Sequence, residues 1–200
     1  MSPPDGRAWR PWSPEEVAAR LDPLGVTWCV AGGWAIDLAA GRRTRDHGDM
    51  EVAVLRRDYH VVRDALRELS PHAAVSGTLH ALAPGEEPPE GYFQTWFTDG
   101  EAWLVDVMIE PGDDDTWVYR RDETVRAPRS FMVARTADGV PYLAPHGGLL
   151  FKAKYGRAKD EADFAVVEPL LPPEQRAWLV DVLRRLHPEH RWLSVLTASP

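Results

Sequence analysis

The sequence predicts a protein of the α+β class, with an α/β front part of roughly 140 residues and a helical rear part of roughly 60. Strand-length apolar segments alternate with amphipathic segments in the front part, whereas apolar residues recur at helical spacing from Pro145 onward. The length of 200 residues suits one domain with a small appendage, and 44% hydrophobic residues are typical of a globular chain. We therefore expect an α/β domain over residues 1–140 and a helical domain over residues 141–200.

The first elements can be placed from capping residues and glycines. Ser13 can cap a helix, Pro14 suits the first helical position, and Glu16 completes a capping box. The continuous apolar run VTWCVAG then predicts a buried strand. A second helix is expected to begin at Gly33 and to end at Gly41, which is a typical residue after a helix C-terminus.

The remaining elements follow from periodicity. The segment DMEVAVL predicts a second strand, and residues 58–69 predict an amphipathic helix. Further strands are expected at TLHAL, YFQTWFT, AWLVDVMIE and SFMVA. Helices are expected at HGGLLFKAKYG, KDEADFAVVEPLL and PPEQRAWLVDVLRRL.

Charge and composition exclude several classes of protein. The chain has 23 basic and 31 acidic residues, a net charge of −8, which argues against stable nucleic-acid binding because phosphate backbones require a basic surface. The single cysteine, Cys29, cannot form an internal disulfide. Apolar runs long enough to cross a bilayer are absent, and the first sixteen residues do not resemble a secretory signal. We expect a cytoplasmic protein without a membrane partner.

Three carboxylates have a pattern that indicates chemistry. Asp49 and Glu51 project from one face of a predicted strand, roughly 7 Å apart along the chain. Two such carboxylates repel each other unless a cation lies between them, and their oxygen ligands suit Mg²⁺. Asp106 is the lone acid of an apolar strand. If the two strands are neighbours, the acids converge in a two-metal site for phosphoryl transfer. The alternative is an edge strand whose acids face water.

The Gly32-Gly33 pair lies between the first strand and the second helix. Glycines there allow close approach of a phosphate to the backbone and to the helix N-terminus, although a plain tight turn would use the same residues. Arg45 and His47 could reach a triphosphate. A metal pair of His47 and Asp49 is the other interpretation, but a second cluster that would complete a zinc site is missing from the sequence.

Taken together, these motifs resemble a known superfamily. The order Gly-Gly-Trp, then Arg-x-His-x-Asp-x-Glu, then a distant lone Asp resembles the nucleotidyltransferase fold of the DNA polymerase β superfamily. More narrowly, GGWAIDLAAGRRTRDHGDMEV is similar to small antibiotic nucleotidyltransferases, first the aminoglycoside 2″-O-nucleotidyltransferase type and next the lincosamide type. The resemblance extends to KAKYGRAKDEADF and covers most of residues 25–110 and 145–170.

This resemblance implies a mixed β-sheet flanked by helices, and transfer of AMP from ATP to a hydroxyl group with two Mg²⁺ ions. It implies that Asp49 and Glu51 hold the metals and that Asp106 is a third ligand or the general base. Lys152 and Lys159 would add positive charge, although each is also typical of a solvated helical lysine. The residues that would face the triphosphate are Gly32, Gly33, Arg45 and His47.

One departure leaves alternatives open. The family usually carries Asp-x-Asp, whereas this chain has Asp49 and Glu51, and Mg²⁺ tolerates little distortion. The site could use an adjusted strand, could be slow, or could belong to a degenerate, non-catalytic nucleotide-binding protein. The net charge of −8 favours a cationic aminoglycoside as the small-molecule acceptor. A lincosamide, and a protein or tRNA as in toxins, are the alternatives, and the oligomeric state stays open.

Overall fold

A computed structural model describes residues 4–6 and 8–198, so residues 1–3 and 7 of the segment compared with a secretory signal lie outside the described residues. The centre of the fold is an eight-stranded sheet of order β4-β3-β5-β6-β2-β1-β10-β9, beside a two-stranded sheet β7-β8. The strands are β1 (Trp28–Val30), β2 (Glu51–Leu55), β3 (Ser70–Val75), β4 (Thr78–Ala81), β5 (Gln94–Thr98), β6 (Trp103–Glu110), β7 (Thr116–Val118), β8 (Arg126–Pro128), β9 (Val133–Arg135) and β10 (Pro141–Leu143).

Helices flank the sheet, and three of them, α2, α5 and α6, pack against one another next to the site described below. The helices are α1 (Pro14–Leu21), α2 (Gly32–Ala40), α3 (Tyr59–Ala65), α4 (Arg129–Met132), α5 (Pro145–Ala153), α6 (Ala158–Val167), α7 (Pro173–Leu186) and α8 (Trp192–Thr197). The large sheet is mixed, because β2 is parallel to β6 and β1 to β10 while the other pairs are antiparallel. The predicted α+β class with a mixed, helix-flanked sheet is confirmed.

Local signals placed the first elements correctly. The capping box of Ser13 and Glu16 is formed at the start of α1. Helix α2 begins at Gly32, one residue earlier than predicted, and ends at Gly41, whose φ of 64° lies in the left-handed region that glycine adopts without strain. Helix α7 begins at Pro173 directly after Pro172.

Other expectations were wrong where tertiary contacts decide the structure. The helix predicted over residues 58–69 ends at Ala65, and residues 70–75 form β3, which is held by pairing with β4 and β5. The segment SFMVA begins as helix α4, because the side chain of Arg129 is anchored by Glu110 and by the carbonyl of Asp113. Strand β10 and helix α8 are short, and the sequence pattern did not predict either of them.

The division at residues 140/141 stays a prediction. Strand β10 joins the large sheet through β1, whereas the residues after it form helices α5 to α8. Over the stretches 4–6 and 8–198, every helix is too short or too polar to cross a bilayer.

Strand β6 fixes the position of the site. It lies between β5 and β2, and all eight of its residues are buried. Its two acids, Asp106 and Glu110, are therefore buried carboxylates, which are costly unless something compensates their charge. Glu110 is ion-paired with Arg129. Asp106 has a different environment, described next.

Candidate active site

Two of the predicted carboxylates lie side by side on adjacent parallel strands. Glu51 on β2 is the register partner of Asp106 on β6, and the Asp106 amide donates to the Met50 carbonyl at 2.7 Å. Neighbouring strands are roughly 4.8 Å apart and register partners project from the same face. Asp49 precedes β2 and is half-buried, close enough for its charge to act on both acids. The condition stated for convergence of the acids, that the two strands are neighbours, is therefore met, while the catalytic roles stay predictions.

The electrostatics of this pair favour a bound cation. Burial, followed by repulsion from Asp49, raises the pKa of Glu51. Burial and the neighbouring Glu51 raise the pKa of Asp106 well above its usual range. Gln94 Nε2 donates to Asp106 Oδ2 at 2.6 Å, but Asp106 Oδ1 is buried and accepts no hydrogen bond from any described residue. A buried, unsatisfied carboxylate oxygen is costly unless a ligand or ion satisfies it.

These residues fit Mg²⁺ in the manner common for nucleotide enzymes. Among the described residues, no group of three or more His, Cys, Asp or Glu side chains is arranged so that it could hold a metal ion by itself. Mg²⁺ seldom uses such a cage, because it is usually held by one or two carboxylates, substrate phosphates and water. Glu51 and Asp106, with Asp49 nearby, can supply the protein part of such a set.

Gly32 and Gly33 explain how the chain accommodates these side chains. Gly32 has φ of +64°, and a Cβ there would overlap Glu51 Oε2, so the carboxylate lies directly over the first residue of α2. A Cβ at Gly33 would overlap His47 and Arg45. The glycine pair therefore allows the segment containing residues 45–51 to pack against the N-terminus of α2.

Arg45 and His47 both have carboxylate partners. Arg45 donates from Nε and Nη2 to Asp163 at 2.8 and 2.9 Å, which ties the segment before β2 to helix α6. His47 Nε2 lies 2.6 Å from Asp37 Oδ2, and burial lowers the pKa of His47 despite that contact. The structure therefore places both side chains in contacts that fix the segment leading to Asp49. Contact of either side chain with the triphosphate stays a prediction.

The two predicted lysines differ from each other. Lys152 is buried and pairs with Asp163 at 2.8 Å, with Asp160 at 4.0 Å, so it is not a solvated helical lysine. Lys159 is exposed, and its positive charge lowers the pKa of Glu51, which places it near the site. Across the described residues Lys159 has no ion pair within 4.0 Å.

Sequence reasoning missed two residues that the structure brings to the carboxylates. Gln94, on β5, holds Asp106 as described above. Arg120 is half-buried, and its guanidinium donates to Met108 Sδ at 3.1 Å. Burial lowers the pKa of Arg120, while Asp106 and Glu51 act in the opposite direction. Neither residue belongs to a recognisable motif. Gln94 reaches Asp106 through the pairing of β5 with β6, and Arg120 reaches the site through the loop after β7.

Gly32, Glu51, Arg120 and Lys152 line a cleft between the sheet and α5, whereas Asp106 and Gln94 lie outside its lining. Together with the open solvent at its mouth, the cleft has a volume of about 650 Å³. Its lining combines charged and apolar side chains, among them Glu51, Arg120, Met108 and Phe151. The cleft therefore offers a ligand the carboxylate of Glu51, together with the basic side chains of Arg120 and Lys152.

Comparisons with known proteins agree with this arrangement. Residues 15–77, about a third of the chain, match the family model described as aminoglycoside-2''-adenylyltransferase. The lincosamide antibiotic adenylyltransferase LnuA, solved with lincomycin bound, is 16% identical with a TM-score of 0.55, over 78% of this chain and 94% of that one. ANT(2")-Ia in complex with adenylyl-2"-tobramycin is 16% identical with a TM-score of 0.58, over 86% and 95%. Of the curated proteins compared with the chain, none matches it.

At these identities the solved structures establish the fold, and the family model adds a sequence match through α2 and β2. The predicted resemblance is therefore confirmed, together with the enzyme class that it implies. The chain is similar, in sequence signature and in fold, to antibiotic nucleotidyltransferases.

Proposed function

We propose that the protein transfers AMP from ATP to a hydroxyl group of a small molecule and depends on Mg²⁺. The observation that carries this proposal is the in-register pair of Glu51 and Asp106 beside the N-terminus of α2, with Asp106 Oδ1 buried and unsatisfied. Such a pair needs positive charge, and a helix N-terminus next to it favours phosphate.

The reaction assigns a role to each residue. The acceptor oxygen would form a bond to the α-phosphorus as the bond from that phosphorus to the bridging oxygen of the β-phosphate breaks and pyrophosphate leaves. Asp106 would either take the hydroxyl proton as the general base or act as a third metal ligand. Mg²⁺, when bound, would neutralise phosphate charge and lower the pKa of the acceptor hydroxyl. Glu51 and Asp49 would hold it, and most of the rate would come from positioning and charge stabilisation.

Glu51 instead of Asp is compatible with this role. Its extra methylene carries the carboxylate over Gly32, where the missing side chain leaves space. Gly32 and Gly33 would face the phosphates, while Lys159 would add charge at the cleft. In this proposal Arg45, His47 and Lys152 contribute through the segment and helix that they hold in place.

The net charge of −8 favours a cationic aminoglycoside as the acceptor, and a lincosamide is the alternative. We propose the cytoplasm as the location of the protein. A protein or tRNA target is a second possibility that growth arrest on expression, lost with Asp49→Ala, would support. A non-catalytic nucleotide-binding protein would bind Mg²⁺ and ATP in calorimetry without ever releasing pyrophosphate.

Mass spectrometry with ATP, Mg²⁺ and a panel of aminoglycosides and lincosamides tests the proposal. We expect an acceptor product heavier by one AMP, and a loss of several orders of magnitude in Asp106→Asn with little change in thermal stability. Asp138→Asn, an exposed aspartate in the turn before β10, is the matched control. Product formation undiminished in Asp106→Asn would contradict the assigned site, and no adduct on any acceptor would contradict the antibiotic version.

A further inference from the structure

Arg120, in the loop after β7, lies in the cleft next to the carboxylate pair. Its Nη1 donates to Met108 Sδ at 3.1 Å. Met108 follows Asp106 by two residues on β6, so both side chains project from the same face of the sheet, roughly 7 Å apart along the strand. The guanidinium is therefore anchored one strand step from the register pair of Glu51 and Asp106, and it shares the lining of the cleft with Glu51.

The charge of Arg120 has no counter-ion in the described part of the chain. None of the carboxylates there lies within 4.0 Å of its guanidinium, whose hydrogen bond goes to a thioether sulfur instead. Sulfur of this kind is a weak acceptor, whereas a guanidinium has five N–H donors. The other basic side chains of the cleft have oxygen partners, because Lys152 pairs with Asp163 and Arg121 donates to a backbone carbonyl and a tyrosine hydroxyl.

The surroundings of Arg120 hold the cation in place without neutralising it. Its Cζ lies 5.1 Å from the ring centroid of Phe151 on α5, at a distance typical of a cation–π contact. The side chain is half-buried, and a charge removed from water is costly unless it is paired and hydrogen-bonded. The unused N–H donors fit a phosphate, because a guanidinium binds two of its oxygens through parallel hydrogen bonds.

The position of Arg120 indicates which phosphate it would meet, an assignment that rests on the proposed function. Lys152 and Lys159 add positive charge at Glu51, and Arg120 adds it at both Glu51 and Asp106. The α-phosphate is the group that reacts in the proposed function, so it must lie beside these two carboxylates. The N–H groups at the start of α2 are then available for the β- and γ-phosphates.

We propose that Arg120 is a catalytic residue of this site and that its guanidinium donates hydrogen bonds to the non-bridging oxygens of the α-phosphate. The phosphate supplies the counter-ion that the protein itself does not place beside Arg120. The guanidinium in turn neutralises part of the charge on the phosphoryl group that is transferred. Because the same cation is uncompensated before the nucleotide binds, it destabilises the ligand-free protein.

Calorimetry with three probes, adenosine, AMP and α,β-methylene ATP, tests this contact in the presence of Mg²⁺. In Arg120→Met the affinities for AMP and for α,β-methylene ATP should fall by the same factor, about tenfold or more, while adenosine affinity stays unchanged. Arg120→Lys keeps the charge but loses the planar fork, so its loss should be smaller, about threefold. Arg126→Met, an exposed arginine on β8, is the matched control and should bind all three probes like the wild type.

Urea unfolding of the ligand-free proteins separates this role from a structural one. Removal of an uncompensated cation should leave the midpoint of Arg120→Met unchanged or raise it, whereas a lower midpoint or a failure to fold would overturn the proposal. Unchanged AMP affinity in Arg120→Met, a loss confined to α,β-methylene ATP, or a wild type that binds this analogue but not AMP would also overturn it. Failure of the proposed function would look different: the wild-type protein would bind none of the nucleotides, or would bind ATP without ever releasing pyrophosphate.

Discussion

The ion network behind the site gives the most quantitative prediction. Asp163 is 1% exposed and accepts hydrogen bonds from both Arg45 and Lys152, whose side chains are 24% and 8% exposed. Asp163→Asn keeps the size and shape of the side chain, but it removes the negative charge. Asp160, 4.0 Å away, is then the remaining carboxylate partner of Lys152 among the described residues. Breaking a buried pair by removing one partner costs about 3–5 kcal/mol, and the retained amide favours the lower end, about 3 kcal/mol.

Urea unfolding followed by tryptophan fluorescence measures this loss. With a slope of about 2 kcal/mol per molar urea, about 3 kcal/mol lowers the midpoint by about 1.5 M, and a domain with 5–15 kcal/mol of stability stays folded. Lys152→Met in the Asp163→Asn background removes the unpaired lysine, so the double variant should lose less than the sum of the single variants. A loss below about 1 kcal/mol, or strict additivity, would refute the assignment of a buried network.

The same network predicts a pH dependence with a definite sign. Burial raises the pKa of Asp163, but hydrogen bonds from Arg45 and Lys152 outweigh it and the pKa is lowered overall. An acid with a depressed pKa in the folded state stabilises the protein above its unfolded pKa, about 3.9, and loses that contribution as the pH falls through the folded value. The difference between wild type and Asp163→Asn should therefore shrink below about pH 4.

Three further predictions concern single residues. Gln94→Met removes the donor to Asp106 at similar size, so kcat should fall about tenfold with the KM for ATP nearly unchanged. Gly32→Ala places a methyl group against Glu51 and strains a residue at φ +64°, so Mn²⁺ affinity, measured by electron paramagnetic resonance, should fall at least tenfold. Burial lowers the pKa of His146 to about 4, so unfolding free energy should fall by about 3 kcal/mol as the pH drops from 6.5 to 4.

Two of these predictions can be checked with a further variant. Gly48→Ala, where a Cβ would meet nothing within 4 Å, should retain wild-type Mn²⁺ affinity. In His146→Gln the unfolding free energy should fall less between pH 6.5 and pH 4. The folded state of this variant no longer buries a neutral histidine whose protonation favours the unfolded state. An unchanged profile in that variant, a normal kcat in Gln94→Met, or full Mn²⁺ affinity in Gly32→Ala would contradict the corresponding argument.

Elements with strong local signals could be predicted from the sequence. The capping box at Ser13, the glycine after α2 and the apolar runs of β2, β5 and β6 specify their own conformation through hydrogen bonds, backbone freedom and burial. Strand β3 and the helical turn α4 could not be predicted, because pairing with β5 and the anchoring of Arg129 stabilise them from a distance.

The site divides in the same way. The sequence determined the carboxylates, the glycine pair and the family that they resemble, because residue type and short spacing carry that information along the chain. The tertiary structure alone decided that Arg45 and Lys152 share Asp163, that Gln94 holds Asp106 and that Trp96 stands beside it. These contacts join residues far apart in sequence through strand register and helix packing, and no local pattern encodes either of them.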